Sequence, residues 1–233
     1  LVPSAVIFDL NINENPHVNK IGEKSPWRQL ANEAYKSIGQ NFPLGSHGAG
    51  CGATTATLKG GQGSASWTQK YSNGKEYTVG AIVINNAVGN PLINTGPHFL
   101  SGHLELENEF GGYGSSNENY DFILRAKRLP SSTGIANTFN NIASNTVIGV
   151  VATDAPLSRT SLKRLAIMAH DGIGKSLNPA HTPMDGDTIF SISTKPVKDK
   201  KGNIYTAWKT DKVTNMGAMF FGAEKFNNDD KPL

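Results

Sequence analysis

The sequence predicts a mixed α/β fold, and three stretches carry that expectation. Thr146-Val147-Ile148-Gly149-Val150-Val151-Ala152-Thr153 is a continuous apolar, β-branched run, the pattern of a buried strand. Ser158 to Ser176 follows it with Leu162, Leu165, Ala166, Ala169 and Ile173 on one helical face, which is the stripe of an amphipathic helix. Ser64 to Tyr71 and Glu76 to Asn85 flank Ser72-Asn73-Gly74-Lys75, and Asn-Gly between two strand-like runs signals a hairpin.

The remaining elements follow in chain order. Ser4 to Leu10 is a short apolar run and reads as a buried strand. Asn11 to Lys24 is polar and loop-like. Ser25-Pro26-Trp27 has a capping hydroxyl before a first-turn proline, so a helix is expected there. Trp27, Leu30, Ala31, Ala34 and Ile38 keep helical spacing, and Gly39 ends it. Gly45 to Gly63 is a Gly/Ala/Ser/Thr loop, and Asn90 to Ser144 is the least regular stretch. Loops of that length are usually functional or disordered. Thr188 to Thr194 is a further strand, and Asp211 to Lys225 is expected to form a closing helix. No internal repeat is present.

Composition narrows the function classes. Hydrophobic residues make up 37% and charged residues 18% of 233, which is not the profile of a disordered chain. No run approaches the roughly 18 apolar residues of a membrane-spanning helix. The net charge of +3 is scattered without a basic block, so no nucleic-acid face is expected. Cys51 is the single cysteine, which excludes an internal disulfide and fits a reducing, cytoplasmic compartment. The first residues lack a basic stretch followed by a cleavage site, so no signal peptide is read.

The chemistry concentrates at Ala143-Ser144-Asn145-Thr146-Val147, where an irregular segment ends and a buried strand begins with Thr. A hydroxyl is a weak nucleophile and needs an adjacent base. Cutting Asn145–Thr146 would free an α-amine on Thr146 within reach of its own Oγ1. That amine titrates near ~8 and can serve as a neutral base. The plain alternative is a β-branched residue that merely starts a strand.

Met184-Asp185-Gly186-Asp187-Thr188 places two carboxylates around a glycine just before a strand. Such a pair can orient a hydroxyl or ammonium, or simply close an Asx-type turn. With His181 it can also be read as a metal site. Gly48-Ala49-Gly50-Cys51-Gly52-Ala53-Thr54 and Lys59-Gly60-Gly61-Gln62-Gly63-Ser64 lack the Gly-Lys-Ser/Thr of a phosphate loop. Their backbone amides suit a reacting carbonyl better, and plain glycine turns are an equal alternative. Asn86 ends an apolar strand and can act as a turn former or as an oxyanion donor. His170-Asp171 reads as a structural or solvated pair, and Cys51 as a small loop residue.

Taken together, these blocks resemble the self-cleaving peptidases of the DmpA/NylC type. That family includes L-aminopeptidase/D-esterases, β-peptidyl aminopeptidases and 6-aminohexanoate-oligomer (nylon oligomer) hydrolases. The resemblance runs through Asn145-Thr146 to Leu157, Leu165 to Ile173, Pro179-Ala180-His181-Thr182 and Asp185 to Phe190. Upstream it covers Val2 to Leu10, Gly48 to Ser66 and Val79 to Gly89.

It implies an N-terminal-nucleophile hydrolase with a four-layer α-β-β-α sandwich. Residues 1–145 would belong to a large subunit whose N-terminal portion is missing, and 146–233 would form the small subunit of the same domain. The processed pairs would assemble as a homo-oligomer, a tetramer or larger. The resemblance makes Thr146 nucleophile and base, Asp185 and Asp187 its orienting pair, and Asn86 the oxyanion donor. Thr146 with Asp185-Gly186-Asp187 is similar to the nylon-oligomer branch. The basic residue which that branch carries in the glycine loop falls on Thr57 here, leaving Lys59 nearby. Short peptides or amino-acid oligomers would be the substrates, with no cofactor, metal, nucleic acid or membrane. A catalytically inactive binding or assembly protein on the same scaffold is the alternative.

Overall fold

The strand that begins at Thr146 is an inner strand of a four-stranded sheet. In this computed structural model the structure describes residues 4–7, 9, 27–118, 145–195, 197–198 and 204–205. Strands β1 (Gly61–Lys70), β2 (Glu76–Asn86), β3 (Thr146–Thr153) and β4 (Thr188–Ser193) lie in the order β1-β2-β3-β4. The first two pairings are antiparallel and β3 pairs with β4 in parallel. The β1–β2 hairpin turns through Tyr71–Lys75, with the Asn73 Oδ1 accepting from Lys75 N at 3.0 Å. Parallel neighbours need a crossover, and here it is the helix α2 (Arg159–Ser176). A short hairpin, β5 (Val197–Lys198) with β6 (Ile204–Tyr205), adds a pair the sequence reading did not contain. Helix α1 (Trp27–Lys36) forms where expected, but none of its residues is buried.

Helix α2 is fixed at its start and along one face. Ser158 caps it, its Oγ accepting from Ser161 N at 3.2 Å, an arrangement worth about 1 kcal/mol. Ile173 and Leu177 pack on Ala87 and Val147, with Val83, Ala180 and Ile189 around them. Each such buried aliphatic contributes roughly 1.5–3 kcal/mol. Ser191 Oγ donates to the Leu162 carbonyl at 2.7 Å and ties β4 to the helix.

Because Val147 faces α2, strand alternation turns Thr146, Ile148, Val150 and Ala152 to the opposite face. Asn86 is registered directly across from Thr146, so the two share that face. A groove of about 290 Å³ lies on the same side toward the Thr153 end, lined by Ser66, Gly80, Ile82, Val150 and Ala152. The α/β class is therefore as expected. The described residues supply a sheet with one helix packed on it.

One expected strand is corrected. Ser4–Ile7 and Asp9 carry no regular structure, and Val6 is 83% exposed. An apolar run becomes a strand only when a neighbour takes up its N–H and C=O groups, and β1 and β4 pair with none of these residues. Residues 90–118 are irregular as expected, apart from the short 3₁₀ turn Gly102–Leu104. The expected closing helix Asp211–Lys225 lies outside the described residues.

Candidate active site

The parallel β3–β4 pairing brings together the residues that precede each strand. Asn145 and Asp185 form a parallel bridge, so the Thr182–Asp187 loop runs alongside the Asn145–Thr146 peptide. Gly186 N donates to the Asn145 carbonyl oxygen at 3.0 Å. The Thr146 hydroxyl donates to the same oxygen at 2.5 Å. The carbonyl of Asn145 thus receives two donors, and the hydroxyl lies against the peptide group that precedes it. A Cβ built on Gly186 would stand 3.0 Å from Thr146 Oγ1. Glycine at this position lets the loop approach the hydroxyl so closely. Thr146 and Asn145 are both buried, and Asn145 Oδ1 finds no hydrogen-bond partner among the described residues.

The two carboxylates divide their work. Asp185 Oδ1 accepts from Val88 N at 3.0 Å, and its Oδ2 accepts from Thr182 N at 3.0 Å and Thr182 Oγ1 at 2.7 Å. It therefore staples the turn after β2 to the loop before β4. Asp187 Oδ1 accepts from Val147 N at 2.8 Å, and its Oδ2 lies 2.6 Å from His181 Nδ1. Asp187 acts on the backbone next to Thr146, and Asp185 acts one segment further away.

Asn86 is fully buried, and its Oδ1 accepts from Thr54 N at 3.0 Å. This bond sets the amide's orientation and leaves the NH2 as its donor end. The glycine loop is pressed onto the same strand end, because a Cβ on Gly60 would collide with the Asn85 carbonyl. Lys59 bridges across to Thr54, is exposed, and makes no hydrogen bond or ion pair among the described residues. Thr57 Oγ1 donates to Asn90 Oδ1 at 2.5 Å, and Ala56 N donates to the Gly89 carbonyl at 3.1 Å. The structure therefore gathers Thr146, Asn145, Asn86, Asp185 and Asp187 at one end of β2 and β3, with the backbone of Lys59 beside them.

Two contributors were not singled out for these roles in the sequence. The Gly186 N–H carries no side-chain signature, and only the glycine between two aspartates hints at it. His181 figured in the sequence only as a possible metal ligand. It sits instead against Asp187, while Asp185 is turned to Val88 and Thr182. Among the described residues no three His, Cys, Asp or Glu side chains come together as a metal-ligand group.

Residues 5–223 match peptidase family S58. The chain belongs to peptidase family S58. It is 36% identical over 198 residues to an uncharacterized aminopeptidase of Mycobacterium bovis, covering 84% of this chain and 52% of that relative. It is 25% identical over 206 residues to the 6-aminohexanoate-oligomer endohydrolase of a Kocuria strain, covering 84% of this chain and 51% of that protein. The chain thus spans about half the length of these relatives. Among solved structures, the L-aminopeptidase D-Ala-esterase/amidase of Ochrobactrum anthropi shares 25% identity at a TM-score of 0.42. That match covers 70% of this chain and 36% of the other. A superposition this loose adds nothing to the geometry above. No helix among the described residues of this S58 chain is long and apolar enough to cross a membrane.

Proposed function

We propose that this S58 chain is a self-cleaving amide hydrolase with Thr146 as its nucleophile. One observation carries the reading: the Thr146 hydroxyl and the Gly186 N–H converge on the Asn145 carbonyl at 2.5 and 3.0 Å. In the first step Thr146 Oγ1 bonds to the Asn145 carbonyl carbon. Its proton passes to the Thr146 nitrogen as the C–N bond breaks. The product is an ester with a free α-amine, and water then releases Asn145. The Gly186 N–H stabilises the oxygen on which charge develops. Asn145 holds a buried Oδ1 unmatched among the described residues, a cost of about 1–3 kcal/mol that ends when Asn145 leaves the site.

The exposed α-amine then takes the Oγ1 proton for attack on a substrate amide and returns it to the leaving amine. Asp187 fixes the strand behind Thr146, and Asp185 holds the Asn86–Val88 end of β2 against it. Asn86 supplies the oxyanion donor, and Lys59 is the basic group on the glycine-loop side. The names of the relatives support short peptides or 6-aminohexanoate oligomers as substrates. The family resemblance adds a homo-oligomer of cleaved pairs, and the single cysteine fits a reducing, cytoplasmic compartment.

The test is the intact mass of the full chain with and without Thr146→Ala. Wild type is expected as two pieces that sum to the precursor. The variant is expected as one uncut chain without amide-hydrolase activity. A Thr146→Ala chain that still splits overturns the assignment. An uncut, inactive wild type turns the reading toward a binding or assembly protein.

A further inference from the structure

We propose that His181 is a positioning residue of this site, whose Nδ1–H locks the Asp187 carboxylate behind the nucleophile. Its Nδ1 lies 2.6 Å from Asp187 Oδ2, and its Nε2 lies 3.3 Å from the His170 carbonyl oxygen. A carboxylate only accepts hydrogen bonds, so the Nδ1–H is the donor to Asp187 Oδ2.

The placement is specific. His181 holds a φ of +54°, in the left-handed region that a non-glycine residue occupies when its surroundings hold it there. That turn of the loop carries the ring onto α2, where it meets the His170 ring at 5.0 Å and 59°. His170 on α2 and Asp187 on its own loop are the titratable groups in contact with it. Asp185, also on that loop, directs its oxygens to Val88 and Thr182. The His181 side chain is 39% exposed and that of Asp187 only 5%. A buried carboxylate thus has its hydrogen-bond donor at the edge of solvent.

The consequence reaches the nucleophile through one peptide. Asp187 spends Oδ1 on Val147 N at 2.8 Å, and Val147 directly follows Thr146. With Oδ2 held by His181, the carboxylate has one orientation. Without His181, Oδ2 is a nearly buried acceptor lacking its partner, and the carboxylate can rotate. The Val147 amide then loses its fixed reference, and Thr146 moves with it. The effect on chemistry rests on Thr146 being the nucleophile, whereas the hydrogen bond from His181 to Asp187 does not.

Two measurements test this on the full chain. The ¹⁵N signals of the His181 ring, assigned by their loss in His181→Gln, are recorded on wild type and on Thr146→Ala. A protonated Nδ1 is expected in both proteins, and an Nδ1 without a proton overturns the proposal. Self-cleavage and turnover are then followed in His181→Ala and His181→Gln. In His181→Ala both rates are expected to fall at least about tenfold through misplacement of the nucleophile, with KM within about twofold. The glutamine amide can still donate to Asp187 Oδ2, so His181→Gln is expected to recover most of the rate. Unchanged rates in His181→Ala, or a His181→Gln no faster than His181→Ala, overturn the proposal. A wild type without self-cleavage or hydrolysis removes the Thr146 reading, and the ring-nitrogen spectrum still decides whether His181 donates to Asp187.

Discussion

Two loops of this protein use the same device, a carboxylate that collects backbone N–H groups, to hold very different things. In the Thr182–Asp187 loop, Asp185 reaches Val88 N and Asp187 reaches Val147 N. These donors lie far away in sequence and belong to the turn after β2 and to β3. In the loop beyond Phe99, Glu105 Oε1 accepts from Phe110 N and Gly112 N at 2.8 Å, and Oε2 accepts from Gly114 N at 3.1 Å. All three donors sit within the same loop. The first pair of carboxylates joins separate elements into a site, whereas Glu105 only winds its own segment into a fixed shape. Loss of a long-range staple unties the sheet end that carries Thr146. Loss of a local one loosens a loop that the candidate nucleophile does not contact.

The largest expected effect is at Asp185. Asp185→Ala leaves Val88 N, Thr182 N and Thr182 Oγ1 without their charged acceptor. A loss of about 2–4 kcal/mol is expected in denaturant unfolding, together with slower self-cleavage. A loss below about 1 kcal/mol would place Asp185 with Glu105 as a local ornament. Next comes Gly186→Ala, whose new Cβ would press on Thr146 Oγ1 at 3.0 Å. Displacing the hydroxyl by a few tenths of an ångström is expected to slow self-cleavage by ~10-fold. Unfolding should stay within about 1 kcal/mol of wild type. The intact mass followed over time, beside a melting curve, separates the two effects.

The smallest effect is at Glu105. Glu105→Gln is expected to leave self-cleavage at the wild-type rate, and a slowed rate would break the contrast between the loops. The Gly112 N–H foremost, with those of Phe110 and Gly114, holds the Glu105 carboxyl below its ordinary value, and partial burial opposes this. A depressed carboxyl contributes stability above its unfolded value of about 4.3 and loses it as pH falls through the folded value. Acidification should therefore loosen this loop below about pH 4.3. The Gly112 amide signal, followed in a pH titration, should move with Glu105 and stay still in Glu105→Gln.

Much of the fold was legible because its signals are local. The Asn73-Gly74 turn, the run from Thr146 to Thr153 and the stripe of α2 appear at their expected places within a residue or so. The described part of the expected first strand, Ser4–Ile7 with Asp9, is irregular for the opposite reason. Its apolar pattern is present, but strand formation also needs a partner edge, and no local pattern encodes one. In the site, the Asp185-Gly186-Asp187 cluster stood out by spacing, but its division of labour did not. Two aspartates separated by one glycine look equivalent in the chain. They differ because the bridge between Asn145 and Asp185 sets which backbone each carboxylate meets. His181 was legible as a polar residue near the pair, but its contact with Asp187 depends on a left-handed turn and on α2 lying alongside.

The sequence by itself determined which residues can supply chemistry and where the strands and helix that carry them begin. Thr146 opens a β-branched run, and Ser158 starts a striped helix. Those properties follow from periodicity and capping, which act over a few residues. Only the tertiary structure decided what those residues touch. The parallel β3–β4 pairing set Gly186 N against the Asn145 carbonyl and Asp187 against Val147 N. The antiparallel β2–β3 register set Asn86 beside Thr146. Such contacts join residues tens of positions apart, and register exists only once the strands have paired.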